Sequence, residues 1–379
     1  MKVALVHDYL TQRGGAERVF ELLCRYIPQA DIYTSVYDPE NSIRFGDRPV
    51  NTTFLQNVPG VKENFRMFAP FYYPAFRSLD LQEYDLILSS TAAFAKGVQK
   101  RPDAKHICFC HNVTRFLWDT NTYLNQYTGF KPFQPIINPI FDRLKKADIK
   151  YSKEPDLYIA NSSTVEKRVR SIYNQPAITV NYPIDSQRFT FKNRKSDYYL
   201  VASRLISYKR IDIVVEAFNW LGWPLMIIGE GPERERLEEM ALPNIKFLGH
   251  VSDEQRRELM ANAKSMIITA LEDYGLVPIE SNFSGTPVVA FGAGGVLDTQ
   301  VDGKTGILFP RQTPESISAA LLKADRSFWN YREIRQHALE RFTDVVFCRK
   351  IAAILDEQGF SNILDLPEES MVRENAIGS

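Results

Sequence analysis

Tyr198-Tyr199-Leu200-Val201-Ala202-Ser203-Arg204-Leu205-Ile206-Ser207-Tyr208-Lys209-Arg210 contains an apolar run, a short cationic loop and the entry to an amphipathic stretch. The unit recurs downstream. Pro224–Ile228, Asn244–Leu248, Ser265–Thr269 and Pro287–Ala290 read as further buried strands. Arg210–Leu221, Glu233–Met240, Asp253–Asn262 and Val277–Phe283 read as the helices between them. Continuous apolar runs mark strands covered on both faces, and strand–helix repetition with short glycine-containing turns is the doubly wound parallel α/β pattern.

The first half repeats the pattern less regularly. Lys2–His7, Asp31–Tyr37, Tyr84–Ser89, Lys105–Cys110, Asp156–Ala160 and Ala177–Val180 read as strands. Ala16–Tyr26, Ile137–Lys150 and Thr164–Tyr173 read as helices, and the interval 38–83, rich in Pro, Asn and aromatics, has no readable order. Pro183, Asp185 and the polar run Lys192–Asp197 interrupt the periodicity and place a linker near Tyr182–Ser196. The expected organisation is a domain over 1–190, a second over 191–343, a C-terminal helix over 344–358 that crosses back to the first, and a loose tail over 359–379. Asp344 is the expected N-cap of that helix.

Composition narrows the function classes. The 379 residues suit two domains, and 44% hydrophobic content supports large cores. Lys+Arg and Asp+Glu both total 46, so the basic excess of a nucleic-acid-coating protein is missing. The start Met1-Lys2-Val3-Ala4-Leu5-Val6-His7-Asp8 turns polar too early for a signal peptide. No stretch reaches the roughly 20 apolar residues of a membrane span, and four cysteines are too few to staple the chain. A cytoplasmic protein is expected. Cys108 and Cys110 lie at strand spacing and read as buried thiols rather than metal ligands.

The chemistry concentrates in Thr269-Ala270-Leu271-Glu272-Asp273-Tyr274-Gly275-Leu276-Val277-Pro278-Ile279-Glu280. A strand ends, a loop bears Glu272 and Gly275, and a helix opens whose free N–H groups form an anion site. Gly275 allows close backbone approach, and Pro278 suits the first helical turn. Glu280 falls one turn into the helix, within reach of ribose hydroxyls, and Glu272 lies nearer whatever the phosphate carries. The bland reading makes both solvated carboxylates. Arg204 and Lys209 weigh against it, because a second loop of the same sheet then carries two cations able to neutralise a diphosphate without a metal. Arg210 reads as a surface charge.

The Glu272–Glu280 pair with seven residues between, and the Arg204/Lys209 cluster, resemble the retaining family 4 glycosyltransferases. Gly229-Glu230-Gly231-Pro232, Asn244-Ile245-Lys246-Phe247-Leu248-Gly249 and Asp302-Gly303-Lys304-Thr305-Gly306-Ile307-Leu308-Phe309 extend the likeness. Gly14-Gly15-Ala16-Glu17, Asn161-Ser162-Ser163 and Tyr182-Pro183-Ile184-Asp185 carry it through the first half. The resemblance implies the GT-B fold, two Rossmann-like domains facing a central cleft, and transfer of a sugar from a nucleotide diphosphate. It implies that Arg204, Lys209, Gly15, Gly275 and Leu276 meet the diphosphate and that Glu280 holds the ribose. Backbone around Gly249–Ser252, with Val251, would border the base. Glu272, with the backbone N–H groups of Asp273–Leu276, would contact the transferred sugar, Asp273 and Tyr274 lying nearest it, and His111 would approach it from the first domain. No cofactor or metal is implied.

Cys108-Phe109-Cys110-His111-Asn112 with Phe116-Leu117-Trp118-Asp119, Tyr208-Lys209-Arg210-Ile211-Asp212, and Gly292-Ala293-Gly294-Gly295 are similar to bacterial mannosyltransferases of O-antigen and exopolysaccharide assembly. That likeness points to GDP-mannose as donor and a polyprenyl-diphosphate-linked saccharide as acceptor. UDP-glucose and UDP-N-acetylglucosamine remain open, as does a non-catalytic sugar-nucleotide binding protein. Ser281-Asn282-Phe283-Ser284 departs from the Ala-rich segment of the pattern, and Ala92 stands where the subset often has a histidine. The aromatic segment 65–77, with Lys62, Arg66 and Arg77, reads either as core or as a site of peripheral membrane contact.

Overall fold

The computed structural model describes residues 1–119 and 134–366, with side chains of 134–137 excluded. The chain divides into two compact units, Met1–Asn181 with Cys348–Leu366, and Tyr182–Phe347. Each holds one parallel sheet.

In the first unit the strands are β1 (Val3–His7), β2 (Asp31–Thr34), β3 (Val50–Thr52), β4 (Leu86–Thr91), β5 (Lys105–Cys110), β6 (Leu157–Ala160) and β7 (Ala177–Thr179). Their order is β3-β2-β1-β4-β5-β6-β7. Helix α1 (Gly15–Tyr26) follows β1, and α2 (Gln134–Tyr151) and α3 (Ser163–Arg168) flank β6. The second unit has β8 (Tyr199–Ala202), β9 (Leu225–Ile228), β10 (Ile245–Gly249), β11 (Ser265–Ile268), β12 (Val288–Phe291) and β13 (Gly306–Phe309), in the order β10-β9-β8-β11-β12-β13. Its helices are α4 (Ile211–Leu221), α5 (Arg234–Met240), α6 (Asp253–Asn262), α7 (Leu276–Phe283), α8 (Pro314–Arg326) and α9 (Tyr331–Phe342). Helix α10 (Asp344–Glu357) begins in the second unit and ends in the first.

Both strand orders reverse direction, between β1 and β4 and between β8 and β11. In doubly wound sheets that switch point opens a crevice beyond the carboxyl ends of the strands, where ligands bind. Burial explains why the strands were readable: β1 and β4 are buried at every position, as is β11. Val201, Val214, Ile227, Ile267 and Val289 join one core in the second unit.

The structure corrects several expectations. The interval 38–83 supplies the short edge strand β3 and brief helical turns at Phe54–Asn57, Val61–Asn64 and Tyr72–Arg77. Most aromatics of 65–77 belong to the core, for Phe65, Tyr72, Tyr73 and Phe76 are buried beneath it. Met67 and Phe71 stay 78% and 54% exposed. The cap of α10 is Thr343, whose Oγ1 accepts the Val346 N–H at 3.4 Å, and Asp344 is the first helical residue. Part of the expected loose tail is packed: Ile363 and Leu364 are buried, and the Asp365 N–H reaches the Tyr26 carbonyl at 2.8 Å. Beyond residue 366 that expectation lies outside the described residues.

Candidate active site

In the second unit, the loops after β8 and β11 enclose a cavity of about 340 Å³. It is lined by Ser203, Arg204, Lys209, Thr269, Glu272, Gly275 and the first turn of α7. The loops are fastened together. Thr269 Oγ1 donates to the Lys209 carbonyl at 2.6 Å, and Gln312 Nε2 donates to the Thr269 carbonyl at 2.7 Å. Lys209 Nζ forms an ion pair with Glu272 Oε1, so two of the residues expected at the site touch across the switch point. Arg204 lines the same cavity, while Arg210 pairs with Asp212 at 3.1 Å at the foot of α4.

Gly275 sits at φ +83°, which L side chains rarely adopt, and caps α7 without a side chain over its free N–H groups. The loop bearing Glu272 is held from behind by two glycines. A Cβ on Gly294 would lie 2.4 Å from the Glu272 carbonyl oxygen, and one on Gly295 2.3 Å from Tyr274 Cα. Only a bare backbone lets the Gly295 N–H reach the Glu272 carbonyl at 2.9 Å. The glycine run after β12 therefore shapes the site without lining it.

The Tyr274 side chain is buried, with its hydroxyl on the Tyr182 carbonyl at 3.2 Å, which leaves its backbone as the part that can face a ligand. Ser252 caps α6: its Oγ accepts the Gln255 N–H, and its own N–H goes to Gln255 Oε1, both at 3.1 Å. Its N–H and one lone pair of its hydroxyl are thus taken up by the helix start. Val251 lines a second cavity, of about 810 Å³, with Leu248, Arg188 and Arg257. The Gly249 carbonyl accepts from the Gly229 N–H at 2.9 Å.

Glu280 is 7% exposed, and its Oε2 accepts from Arg256 Nη1 at 2.6 Å. Burial pulls the Arg256 pKa down, but Glu280, and Asp253 at 3.7 Å, outweigh it and hold it above the ordinary value. Sequence reading missed Arg256. It lies on α6, 24 positions from its partner, next to an exchangeable-looking Arg257.

In the first unit, the switch point carries a buried polar cluster. Asp8, just after β1, accepts the N–H groups of Ala92, Ala93, Phe94 and Ala95 at 2.6–2.9 Å, and the Thr91 hydroxyl at 2.8 Å. Deeper in, Lys96 and Asp148 form a buried ion pair at 2.7 Å. Asp148 also accepts from Tyr73, Thr114 and Trp118 at 2.6–2.7 Å. Such pairs persist only when every lone pair and proton is satisfied. His111 follows β5, is 6% exposed, and meets Ser90 Oγ through Nε2 at 2.7 Å. Burial pushes its pKa well below 6.5, and His7 lowers it further, so the ring is neutral at pH 7. Gly15 opens α1 behind Gly14, where Glu17 is buried and takes a hydrogen bond from Gln12 at 3.1 Å. Cys108 and Cys110 are buried free thiols, Cys108 pushed up to about 12 by burial. Among the described residues no group of three His, Cys, Asp or Glu side chains is placed to hold a metal ion, and no helix is long and apolar enough to cross a membrane.

Two parallel Rossmann-like sheets, with a cationic, carboxylate-bearing cavity at the switch point of the second, are the architecture of the GT-B class. The family models agree. Glycosyltransferase Family 4 matches residues 13–188, and Glycosyl transferases group 1 matches residues 184–335. The chain belongs to the family 4 glycosyltransferases. Among relatives, the D-rhamnosyltransferase WbpZ of Pseudomonas aeruginosa is 28% identical over 142 residues, 35% of this chain and 36% of that enzyme. The match thus spans about a third of that relative. An uncharacterised glycosyltransferase of Methanocaldococcus jannaschii is 23% identical over 332 residues, 85% of this chain and 88% of the relative. The crystal structure of Anabaena HepE in complex with UDP and glucose shares the fold at TM-score 0.64 and 17% identity, covering 94% of this chain and 99% of that one.

Proposed function

We propose that the protein transfers a hexose, with retention at the anomeric carbon, from a nucleotide diphosphate donor to a saccharide acceptor. The observation that carries this reading is the single cavity in which Arg204, Lys209 and the uncapped start of α7 converge beside Glu272. Two cations and a helix N-terminus there supply charge for a departing diphosphate, the role a metal plays elsewhere. At about 340 Å³ the cavity has the size of a small-molecule site.

In the proposed reaction the bond from C1 to the diphosphate oxygen breaks, and the acceptor oxygen bonds C1 on the same face. The acceptor proton passes to a diphosphate oxygen. Glu272 stabilises positive charge on the sugar, Glu280 holds the ribose, and His111 orients the sugar. Glu272 is paired with Lys209, and an arriving diphosphate competes for that lysine and frees the carboxylate. GDP-mannose is the donor we favour, supported by likeness to a rhamnosyltransferase and, over 77 residues at 39% identity, to the Dictyostelium discoideum mannosyltransferase ALG2. HepE, which holds UDP and glucose, keeps a UDP-sugar donor as the second reading. We further propose a polyprenyl-diphosphate-linked acceptor met at the cytoplasmic membrane face, with Met67 and Phe71 as the contact.

The test is a thermal-shift and hydrolysis panel with GDP-mannose, UDP-glucose and UDP-N-acetylglucosamine on wild type and Glu280→Ala. One donor should stabilise the wild type and be slowly hydrolysed, with both effects lost in the variant. Binding without turnover, with or without acceptor saccharide, would make it a binding protein. Binding unchanged by Glu280→Ala would overturn the site.

A further inference from the structure

Three polar groups at the switch point of the first sheet form one chain. His7 ends β1 and Ser90 lies near the end of β4, and the parallel register sets the two residues opposite each other. The next strand brings His111 into place: its N–H donates to the Thr91 carbonyl at 2.8 Å, and its own carbonyl accepts from Asn161 Nδ2 at 3.0 Å. Ser90 Oγ is 2.7 Å from His111 Nε2 and 3.0 Å from His7 Nδ1. His7 is fixed from its other side by stacking on Phe20, ring centroids 4.8 Å apart. All three residues are buried.

The hydroxyl has one proton, and among the described residues Ser90 Oγ has no third partner. Two arrangements satisfy the hydroxyl and the two ring nitrogens that face it. In one, His7 Nδ1–H donates to Ser90, which donates to His111 Nε2, leaving the His111 proton on Nδ1. In the other, His111 Nε2–H donates to Ser90, which donates to His7 Nδ1, leaving the His7 proton on Nε2. Unlike pairs fail: two imidazole donors strand the hydroxyl proton, and two imidazole acceptors leave one buried lone pair against the hydroxyl oxygen. Either costs the full penalty of an unmade buried hydrogen bond.

We propose that Ser90 and His7 are positioning residues that fix the tautomer of His111, with both imidazoles carrying their proton on the same ring nitrogen, both Nδ1 or both Nε2. The chain decides whether His111 Nδ1 is a donor or an acceptor, which are opposite hydrogen-bonding roles. Its catalytic consequence rests on the transferase reading above. Its structural content does not.

The experiment is long-range nitrogen–proton correlation NMR on the full chain labelled with ¹⁵N-histidine, which reports each tautomer directly. Wild type should show like tautomers at His7 and His111. Ser90→Ala should give a mixed or inverted His111, and Ser90→Thr, which keeps the hydroxyl, should restore it. With donor and acceptor, Ser90→Ala should lower kcat about tenfold, a fraction of the usual acid–base contribution, while donor KM moves less than twofold. Unlike tautomers in the wild type, or a His111 tautomer indifferent to Ser90→Ala in a folded variant, would overturn the chain. If Ser90→Ala fails to fold, His7→Phe, which keeps the stacked ring, carries the same tautomer test. Full turnover in His111→Ala would overturn the transferase role of His111 while leaving the NMR result standing.

Discussion

Arg256→Met tests the donor site through an interaction hidden in the second unit. The Glu280 side chain is 9% exposed and that of Arg256 23%, so the 2.6 Å pair is buried on the carboxylate side and partly wet on the other. Removing one partner of a fully buried pair costs about 3–5 kcal/mol, and exposed pairs are worth under about 1 kcal/mol. Weighting for the wet guanidinium places Arg256→Met at about 2–3 kcal/mol, or about 4–12 °C in the melting of a unit this size. Glu280→Gln should cost less, because Arg256 keeps Asp253 and water while the amide oxygen still accepts from it. The double variant should then be no less stable than Arg256→Met alone, since the buried charge is gone. Urea denaturation of the four proteins at pH 7.5, with nucleotide affinity measured on each, decides the matter. Additive losses, or a wild-type stability for Arg256→Met, would refute the claim that Arg256 neutralises the Glu280 carboxylate.

Asp8→Asn should cost about 2–4 kcal/mol in urea denaturation, because an amide nitrogen must face at least two of the N–H groups now bonded to the carboxylate; an unchanged midpoint would refute the assignment. Burial lowers the pKa of His7 and His111 and takes His106 to about 3, so between those values and 6.5 the unfolded chain binds more protons than the folded one. Their contribution is therefore full above pH 6.5 and lost below it, so stability should fall from pH 7.5 to 5.5, by about 1.4 kcal/mol for His106 alone; a flat profile over that range would refute it. Met67→Glu with Phe71→Glu should leave donor hydrolysis unchanged and reduce co-sedimentation with anionic phospholipid vesicles several-fold, whereas equal binding would remove the proposed membrane contact.

The two sheets were legible because parallel strands covered on both faces must be continuous apolar runs, as in Tyr199–Ala202 and Val288–Phe291. Local chemistry likewise revealed the Gly275 turn and the cationic loop after β8. The interval 38–83 was opaque because its aromatics fold over the first sheet in turns too short to set up a period. Where the Tyr274 side chain goes was not legible from its place between Asp273 and Gly275, because it packs against Tyr182 far along the chain, 5.1 Å between centroids. The Ser252–Gln255 capping box likewise went unread. Arg256 and Asp8 were missed for one reason: their partners are 24 and more than 80 positions away.

The buried polar groups suggest how the fold keeps a site of this kind ready. Satisfying an orphan donor or a buried charge is worth stability only when the partner is fixed, and both sheets do this just beyond their switch points. In the first, Asp8 gathers four N–H groups of the loop after β4, and the Lys96–Asp148 pair anchors the next turn to α2. In the second, Thr269 and Gln312 lock the β8 and β11 loops, while Gly294 and Gly295 brace the Glu272 turn through bare backbone. Loops fixed in this way need no reorganisation when charge develops on a leaving diphosphate, which is the condition under which fixed dipoles stabilise a transition state. The Lys209–Glu272 pair is the exception, because its partners are exchangeable: a diphosphate offers Lys209 more charge than one carboxylate does. Ligand binding should therefore move those two side chains and leave the braced backbone around them in place.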